Sequence, residues 1–277
     1  MEPNHQKATN LLQTILVWTV SILLVLGVVA ILFFARHQKE QKRIAGLLAE
    51  EGQQMAAKAA MTEEELEALF QSFRPTEPVE ESPSVNLTPT DIDFVSLKEL
   101  NKDVYAYIRV EGTDIAYPIL QHPLDDTYYL NYNIDGSYGY PGCIYTELAN
   151  AKDFSDPNTV IYGHNMKNGT MFSALHKFEK ADFFADHDTI YIDTEEGCRT
   201  YKIFAAYVYD DRHLLNSFDF KNKQVYQTYL DSIFQMRDLN ANIREDVEIT
   251  TEDKIITLAT CMGQQPTKRL LVQAVLQ

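Results

Sequence analysis

One stretch decides how the rest of the chain can fold: Lys254-Ile255-Ile256-Thr257-Leu258-Ala259-Thr260-Cys261. Its run of aliphatic and β-branched residues predicts a buried β-strand. Cys261 stands at the end of that strand, where a thiol can project from the rim of a sheet into a cleft. Because an isolated cysteine is more often a small buried hydrophobe than a nucleophile, its role depends on partners elsewhere in the chain.

Similar short strand patterns, each bounded by turn residues, recur upstream and downstream of this stretch. Two helical patterns interrupt them, one within 171–178 and one within 225–236. Eight short strands with few helices predict a mainly β fold, either a closed barrel or a sandwich. The predicted strands cover residues 105–110, 115–120, 143–145, 159–162, 189–192, 200–209, 254–260 and 270–276.

The first ninety residues have a different composition. Residues 11–34 carry no charge and are long enough for a helix to cross a bilayer. The segment is too long for the apolar core of a signal peptide and lacks a good cleavage site, so it predicts a retained transmembrane anchor after a short tail, 1–10. Residues 35–90 then form a helical and proline-rich stalk, in which Thr62 and Glu65 have the spacing of a capping box. The folded domain is predicted to cover 91–277.

Charge and cysteine content exclude several classes of protein. The chain of 277 residues has a formal net charge of −16, and its folded part contains no cluster of Lys and Arg that could bind nucleic acid. No second apolar run approaches the length of 11–34, which excludes a transporter with several spans. Three cysteines in a chain of this length exclude a disulfide-stapled scaffold. The sequence contains no metal-binding pattern, and we predict no cofactor.

Two residues could activate Cys261. His164 follows the predicted strand 159–162, and an adjacent imidazole stabilises the thiolate that is the reactive form of cysteine. Arg269 opens the last predicted strand and could stabilise the oxyanion that forms when a thiolate attacks a carbonyl. Taken singly, each residue is more commonly a solvated surface side chain. That ordinary interpretation is also the one we give to His176, His187 and His213.

Together these motifs resemble those of the sortase family, and class B most closely. The resemblance rests on Thr257-Leu258-Ala259-Thr260-Cys261 followed by Arg269, with Tyr162-Gly163-His164-Asn165-Met166 upstream. Residues 107–110, 112–118, 128–130 and 169–172 are also similar to class B members, as is a helix near 222–237 before the cysteine strand. The similarity extends over about 91–277.

The resemblance implies a closed barrel of about eight mostly antiparallel strands, with an N-terminal helical extension and a helix inserted before the nucleophile strand. It also implies a cysteine transpeptidase of Gram-positive bacteria, which cleaves a C-terminal sorting signal after Thr and transfers a secreted protein to a peptidoglycan amine. In this sequence, the expected catalytic residues are Cys261 as nucleophile, His164 as acid and base, and Arg269 as oxyanion clamp. The expected substrate-binding residues are Tyr162, Thr260 and Leu130.

Some positions depart from the class B pattern. Ala259 stands where serine is frequent, and Met262 follows the nucleophile where an acidic residue is common. Cys143 and Cys198 match no catalytic position, and a disulfide between them stays open as an alternative. Two other functions also stay open: a cell-surface cysteine protease that uses water as acceptor, and a non-catalytic barrel that binds the cell wall.

Two arguments about membrane topology disagree. Arg36, Lys39, Lys42 and Arg43 follow the apolar segment, whereas only Lys7 precedes it, so the positive-inside rule places the folded domain in the cytoplasm. The resemblance requires that domain outside, where sorting signals and cell-wall precursors are found. Because the charge rule is a statistical bias, we predict a cell-membrane protein with its N-terminus inside and residues 35–277 on the extracytoplasmic face.

Overall fold

The computed structural model describes Lys39, Lys42 and residues 61–74, 90–238, 241–263 and 265–277. The predicted tail 1–10 and anchor 11–34 lie outside these residues, as does most of the predicted stalk. Within the described ranges, no helix combines the length and the apolar composition needed to cross a membrane. The described residues from 61 onward all belong to one compact unit.

A single β-sheet dominates this unit. All eight predicted strands are present, with ends that differ by a few residues from the sequence pattern. One additional strand consists of Asn242 and Ile243, in a stretch that has no run of β-branched or aromatic residues. The strands in the described part of the chain are β1 (Val104–Val110), β2 (Ala116–Leu120), β3 (Ile144–Tyr145), β4 (Asn158–Tyr162), β5 (Thr189–Thr194), β6 (Gly197–Asp210), β7 (Asn242–Ile243), β8 (Ile255–Met262) and β9 (Gln265–Leu276).

The sheet closes on itself. Its strand order is β5-β1-β2-β3-β4-β8-β9-β6, and β5 also pairs with β6, so these eight strands form a ring. The short β7 adds to β6 beside this ring. The pairs β2–β3 and β4–β8 are parallel, and the other pairs of the ring are antiparallel. The prediction of a mainly β closed barrel is therefore confirmed, and the sandwich alternative is wrong.

Short helices cover the connections between strands. The predicted segment 171–178 forms a 3-10 helix, and this choice agrees with its buried Phe172, Leu175 and Phe178, which repeat every third residue. The predicted helix before the nucleophile strand is also present. The described helices are α1 (Glu63–Ser72), α2 (Phe94–Leu100), α3 (Tyr128–Asn131), the 3-10 helix (Phe172–Glu179), α4 (Ala181–Asp186), α5 (Leu214–Ser217) and α6 (Lys223–Phe234).

Helix α1 packs on the barrel. It begins with the predicted capping box, in which Thr62 and Glu65 bond to each other's backbone amides. Leu66 and Phe70 are buried, and the Phe70 ring meets the Tyr117 ring of β2 edge-on at 5.4 Å. The Tyr107 hydroxyl of β1 lies 3.2 Å from the Phe70 carbonyl oxygen. A segment predicted as stalk thus contributes buried surface to the folded unit.

The two remaining cysteines belong to the interior. Cys143 directly precedes β3, and Cys198 lies in β6. Both thiols are buried, and no disulfide joins them. Burial raises the pKa of the Cys143 thiol well above its usual value, so this group is a poor nucleophile. The alternative of a Cys143–Cys198 bond is wrong for this structure.

Candidate active site

Cys261 and Arg269 face each other across two neighbouring strands. In the antiparallel pair β8–β9 they are direct partners, so their side chains project from the same side of the sheet. The register shifts immediately afterwards, between Cys261 and Met262. Cys261 is exposed, unlike the other two cysteines. The strands that carry Cys261 and Arg269 are therefore adjacent, which places the guanidinium on the same side of the sheet as the thiol.

His164 reaches the same rim through β4. This strand runs parallel to β8, with Tyr162 beside Ala259. The Gly163 amide donates to the Ala259 carbonyl at 3.2 Å, and the Thr260 hydroxyl donates to the Gly163 carbonyl at 2.8 Å. An added Cβ at position 163 would lie 2.5 Å from Cδ1 of Ile144 and 2.7 Å from the Phe172 ring, so a larger residue would force these buried side chains to shift. His164 follows directly and borders the same cleft as Cys261 and Arg269.

The imidazole of His164 is oriented by a backbone group. Its Nε2 lies 2.7 Å from the Leu130 carbonyl oxygen, and the Tyr140 ring packs edge-on against it with centroids 5.1 Å apart. A carbonyl only accepts hydrogen bonds, so Nε2 carries a proton. Among the described residues, the Cys261 thiol makes no hydrogen bond, to His164 or to any other group. Such contacts often tighten only when substrate is bound.

Arg269 is fixed at one end of its guanidinium. Its Nη1 donates to the carbonyl of Pro266 at 2.8 Å and to that of Lys268 at 3.0 Å. Within the described ranges, Nε and Nη2 have no acceptor. The guanidinium is therefore held by its own strand while two of its nitrogens stay available to a ligand.

A cleft of about 240 Å³ lies at this rim. The thiol, the imidazole and the guanidinium border it, and most of the remaining wall is apolar. The predicted substrate-binding residues all border the cleft, although the Thr260 hydroxyl is buried and already bonded to Gly163. The apolar and aromatic side chains of the wall are those of Leu130, Tyr145, Tyr162, Tyr209, Leu214, Ala259 and Leu271.

An acid–histidine pair beside the cleft was not found from the sequence. His213 lines the cleft, and its Nε2 lies 2.6 Å from Oε2 of Glu147, a largely buried carboxyl group. Burial raises the pKa of Glu147, and the nearby His213 partly offsets this rise. Burial and the charge of Glu147 also raise the pKa of the Tyr162 hydroxyl. No motif links positions 147 and 213, so only the fold brings them together.

This geometry defines a chemical class. An exposed thiol on the rim of a closed barrel, with an imidazole and a guanidinium around one cleft, suits acyl transfer through a thioester. The family model described as the sortase domain matches residues 108–277. The chain belongs to the sortase family.

Comparison with individual relatives gives the class within the family. Sortase B of Staphylococcus aureus is 33% identical over 183 residues, which make up 65% of this chain and 73% of that protein. The crystal structure of Clostridium perfringens sortase B has a TM-score of 0.60 at 31% identity and covers 66% of this chain and 98% of its own. A Staphylococcus aureus sortase B–substrate complex has a TM-score of 0.58 at 32% identity, covering 66% and 84%. The predicted similarity to class B is confirmed, and the protein is a cysteine transpeptidase.

Proposed function

We propose that this protein is anchored in the cell membrane and joins secreted proteins to the cell wall. In this proposal it cleaves a C-terminal sorting signal after Thr and transfers the new acyl end to a primary amine of a peptidoglycan precursor. The observation that carries the proposal is the direct pairing of Cys261 with Arg269 beside His164. One of the similar structures is a Staphylococcus aureus sortase B–substrate complex, and this similarity supports a substrate of the same class for this chain.

The first half-reaction cleaves the peptide. The Cys261 thiolate attacks the carbonyl carbon of Thr in the signal, a C–S bond forms, and the carbonyl oxygen takes the negative charge. Nε and Nη2 of Arg269 are the donors available to that oxygen. As the C–N bond breaks, protonated His164 gives its proton to the leaving amine.

The second half-reaction reverses these roles. Neutral His164 takes a proton from the incoming amine, the amine nitrogen attacks the thioester carbon, and the C–S bond breaks. Most of the cleft wall around the thioester is apolar, while Cys261 itself is exposed. The acceptor that resolves the thioester decides the activity, because an amine gives transfer and water gives hydrolysis.

The test uses full-length protein in detergent with a panel of Pro-x-Thr-Gly and Pro-x-Thr-Asn peptides and primary amines. Mass spectrometry should detect peptides cleaved after Thr and joined to the amine. Cys261→Ala should abolish both cleavage and transfer while the circular dichroism spectrum stays unchanged, because an exposed strand-end thiol contributes little packing.

Two results would contradict the proposal. Hydrolysed peptide alone, at saturating amine, would identify a cysteine protease. A Cys261 thiol that reacts with a thiol probe in the folded protein, but supports no turnover with any peptide, would favour the non-catalytic barrel.

A further inference from the structure

A second histidine stands behind the proposed nucleophile. His176 lies on the 3-10 helix, whose buried apolar side chains fix it to the core. Its Nε2 is 3.1 Å from the Cys261 carbonyl oxygen, and its Nδ1 is 2.6 Å from Oε2 of Glu179. The prediction of an ordinary surface histidine at position 176 did not include these contacts with Cys261 and Glu179.

The Cys261 carbonyl lies just beyond the last backbone hydrogen bond between β4 and β8. The Gly163 amide still donates to Ala259, and the next carbonyl on that edge of β8 is two residues on, at Cys261. Strand β4 ends at Tyr162, so it offers no further strand amide there. Two side chains contact this carbonyl oxygen in place of a strand amide. Asn165 Nδ2 lies 2.8 Å from it, and His176 Nε2 lies 3.1 Å from it.

The hydrogen bonds of this cluster are consistent in both protonation states of the imidazole. The Glu179 carboxylate accepts from Nδ1–H in either state. In the neutral ring, Nε2 accepts one Asn165 amide hydrogen at 2.9 Å, and the other amide hydrogen goes to the Cys261 carbonyl. In the protonated ring, Nε2–H donates to that carbonyl directly, and the Asn165 amide then donates to the carbonyl and not to the ring. The carbonyl of Cys261 therefore always has a side-chain donor.

We propose that Asn165, His176 and Glu179 form a positioning chain that fixes the backbone of Cys261 and so keeps its thiol opposite Arg269. The inference rests on the proposed function for the role of Cys261 as nucleophile. The strand end needs such support because the β8–β9 register shifts right after Cys261 and Gly263 has a φ of +60°. A displacement of about 1 Å at a reacting group can cost roughly a hundredfold in rate.

The experiment removes the two ring nitrogens with His176→Phe in full-length protein in detergent. One readout is the rate at which iodoacetamide alkylates Cys261 at fixed pH, and the other is steady-state transfer. We expect kcat to fall about tenfold, the effect of one lost hydrogen bond, with KM changed by less than about twofold. Alkylation should slow in parallel. His176→Gln, whose amide can still donate to the carbonyl, should recover most of both rates.

His187→Phe is the matched control. His187 is also half-buried, stacks on Phe183 and bonds through Nδ1 to the Phe183 carbonyl, but it has no contact with Cys261. It should leave both rates unchanged. Equal losses in His187→Phe and His176→Phe would overturn the proposal, because they would indicate general destabilisation.

Two further outcomes are decisive. A wild-type kcat in folded His176→Phe, or a His176→Gln protein as slow as the phenylalanine variant, would also overturn the proposal. If His176→Phe does not fold, Glu179→Ala is the second variant, because the Glu179 side chain is 30% exposed. It should reduce kcat about threefold. A wild-type kcat in Glu179→Ala would refute the positioning chain. Alkylation by iodoacetamide requires no peptide. A wild-type protein whose Cys261 is alkylated but which transfers no peptide would therefore contradict the proposed substrate and would leave the positioning chain unaffected.

Discussion

At the scale of single residues, the contact between His164 and the Leu130 carbonyl determines which ring nitrogen can act as base. Because Nε2 donates to that carbonyl at 2.7 Å, the lone pair of the neutral ring is on Nδ1. Nδ1 is then the nitrogen that takes a proton from an incoming amine in the proposed mechanism. Leu130, a predicted substrate-binding residue, thus also holds the His164 ring through its backbone carbonyl.

Replacing Arg269 by lysine should be nearly as damaging as replacing it by alanine. One Nη nitrogen of Arg269 is already used by two backbone carbonyls, and the proposed oxyanion needs the others. A lysine ammonium lacks this planar fork. We expect kcat/KM for peptide cleavage to fall by a factor on the order of a hundred.

Arg237 provides the matched control for this substitution. Its Nη1 also donates to two carbonyls of its own segment, those of Phe234 and Met236, but it lies after α6 and does not line the cleft. Arg237→Lys should retain wild-type kcat/KM. A rate for Arg269→Lys within twofold of wild type would show that Arg269 acts only as a distant charge.

The raised pKa of Glu147 predicts a pH-dependent stability. A carboxyl group whose pKa is raised in the folded state binds its proton more tightly there, so it favours folding at low pH. That contribution is lost as the pH rises from the ordinary value of 4.5 through the raised one. Glu147→Gln should therefore increase Tm more at pH 7.5 than at pH 4, as measured by thermal melting.

Glu252→Gln is the control that tests whether the pH-dependent change in Tm is caused by burial of the carboxyl group. Glu252 also pairs with a cation, Lys223, but the pair is exposed on the surface. Its substitution should change Tm little at either pH, because exposed ion pairs contribute little. A Tm difference for Glu147→Gln that is the same at both pH values would contradict the assignment.

At the scale of elements, α1 and the segment after His164 share one hydroxyl group. Tyr117 of β2 donates to Glu67 of α1 at 3.1 Å and accepts from the Met171 amide at 2.9 Å. Met171 has a φ of +57°, an unusual value for a residue with a side chain, and the chain then continues as Phe172, whose amide donates to the His164 carbonyl at 2.9 Å. The helical extension thereby supports the loop that carries His164.

Tyr117→Phe should weaken this connection without removing the ring from the core. The buried Met171 amide would lose its acceptor, which typically costs about 1–3 kcal/mol. Urea denaturation should show that decrease in the free energy of unfolding, and kcat should fall because His164 loses its support. Tyr138→Phe, on a ring that is 76% exposed, is the control and should change stability by less than about 0.5 kcal/mol. Equal stabilities for the two variants would refute the connection.

At the scale of the whole molecule, the proposed topology can be tested directly. The domain that contains Cys261 should be accessible to protease on intact protoplasts, because sorting signals and wall precursors are found outside the membrane. We expect digestion of this domain before lysis, detected with an antibody against it. Full protection until the membrane is lysed would place the domain inside, in agreement with the charge count, and the proposed substrate would be lost with it.

Local patterns predicted the strands, whereas the closed barrel and the grouping of thiol, imidazole and guanidinium were predicted from the family resemblance. A run of aliphatic and β-branched residues identifies β8. Because β4 and β9 lie on either side of β8, the residues at the ends of these strands meet at one rim of the barrel. What local patterns miss depends on distant pairing: β7 has two residues, and Glu147 meets His213 only through the fold. The same holds for the contact between His176 and Cys261, which are 85 residues apart in the chain.

The closed ring has a consequence for folding kinetics. Strand β4 pairs with β8 although Asn158 and its partner Ile255 are separated by almost a hundred residues, and β1 pairs with the distant β5. Proteins dominated by such non-local pairings fold slowly, because much chain entropy is lost before the contacts form. His164 follows β4 and Cys261 lies in β8, so the two residues come together only after these strands have paired. On refolding, transpeptidase activity should therefore recover with the slowest kinetic phase, in which the barrel closes.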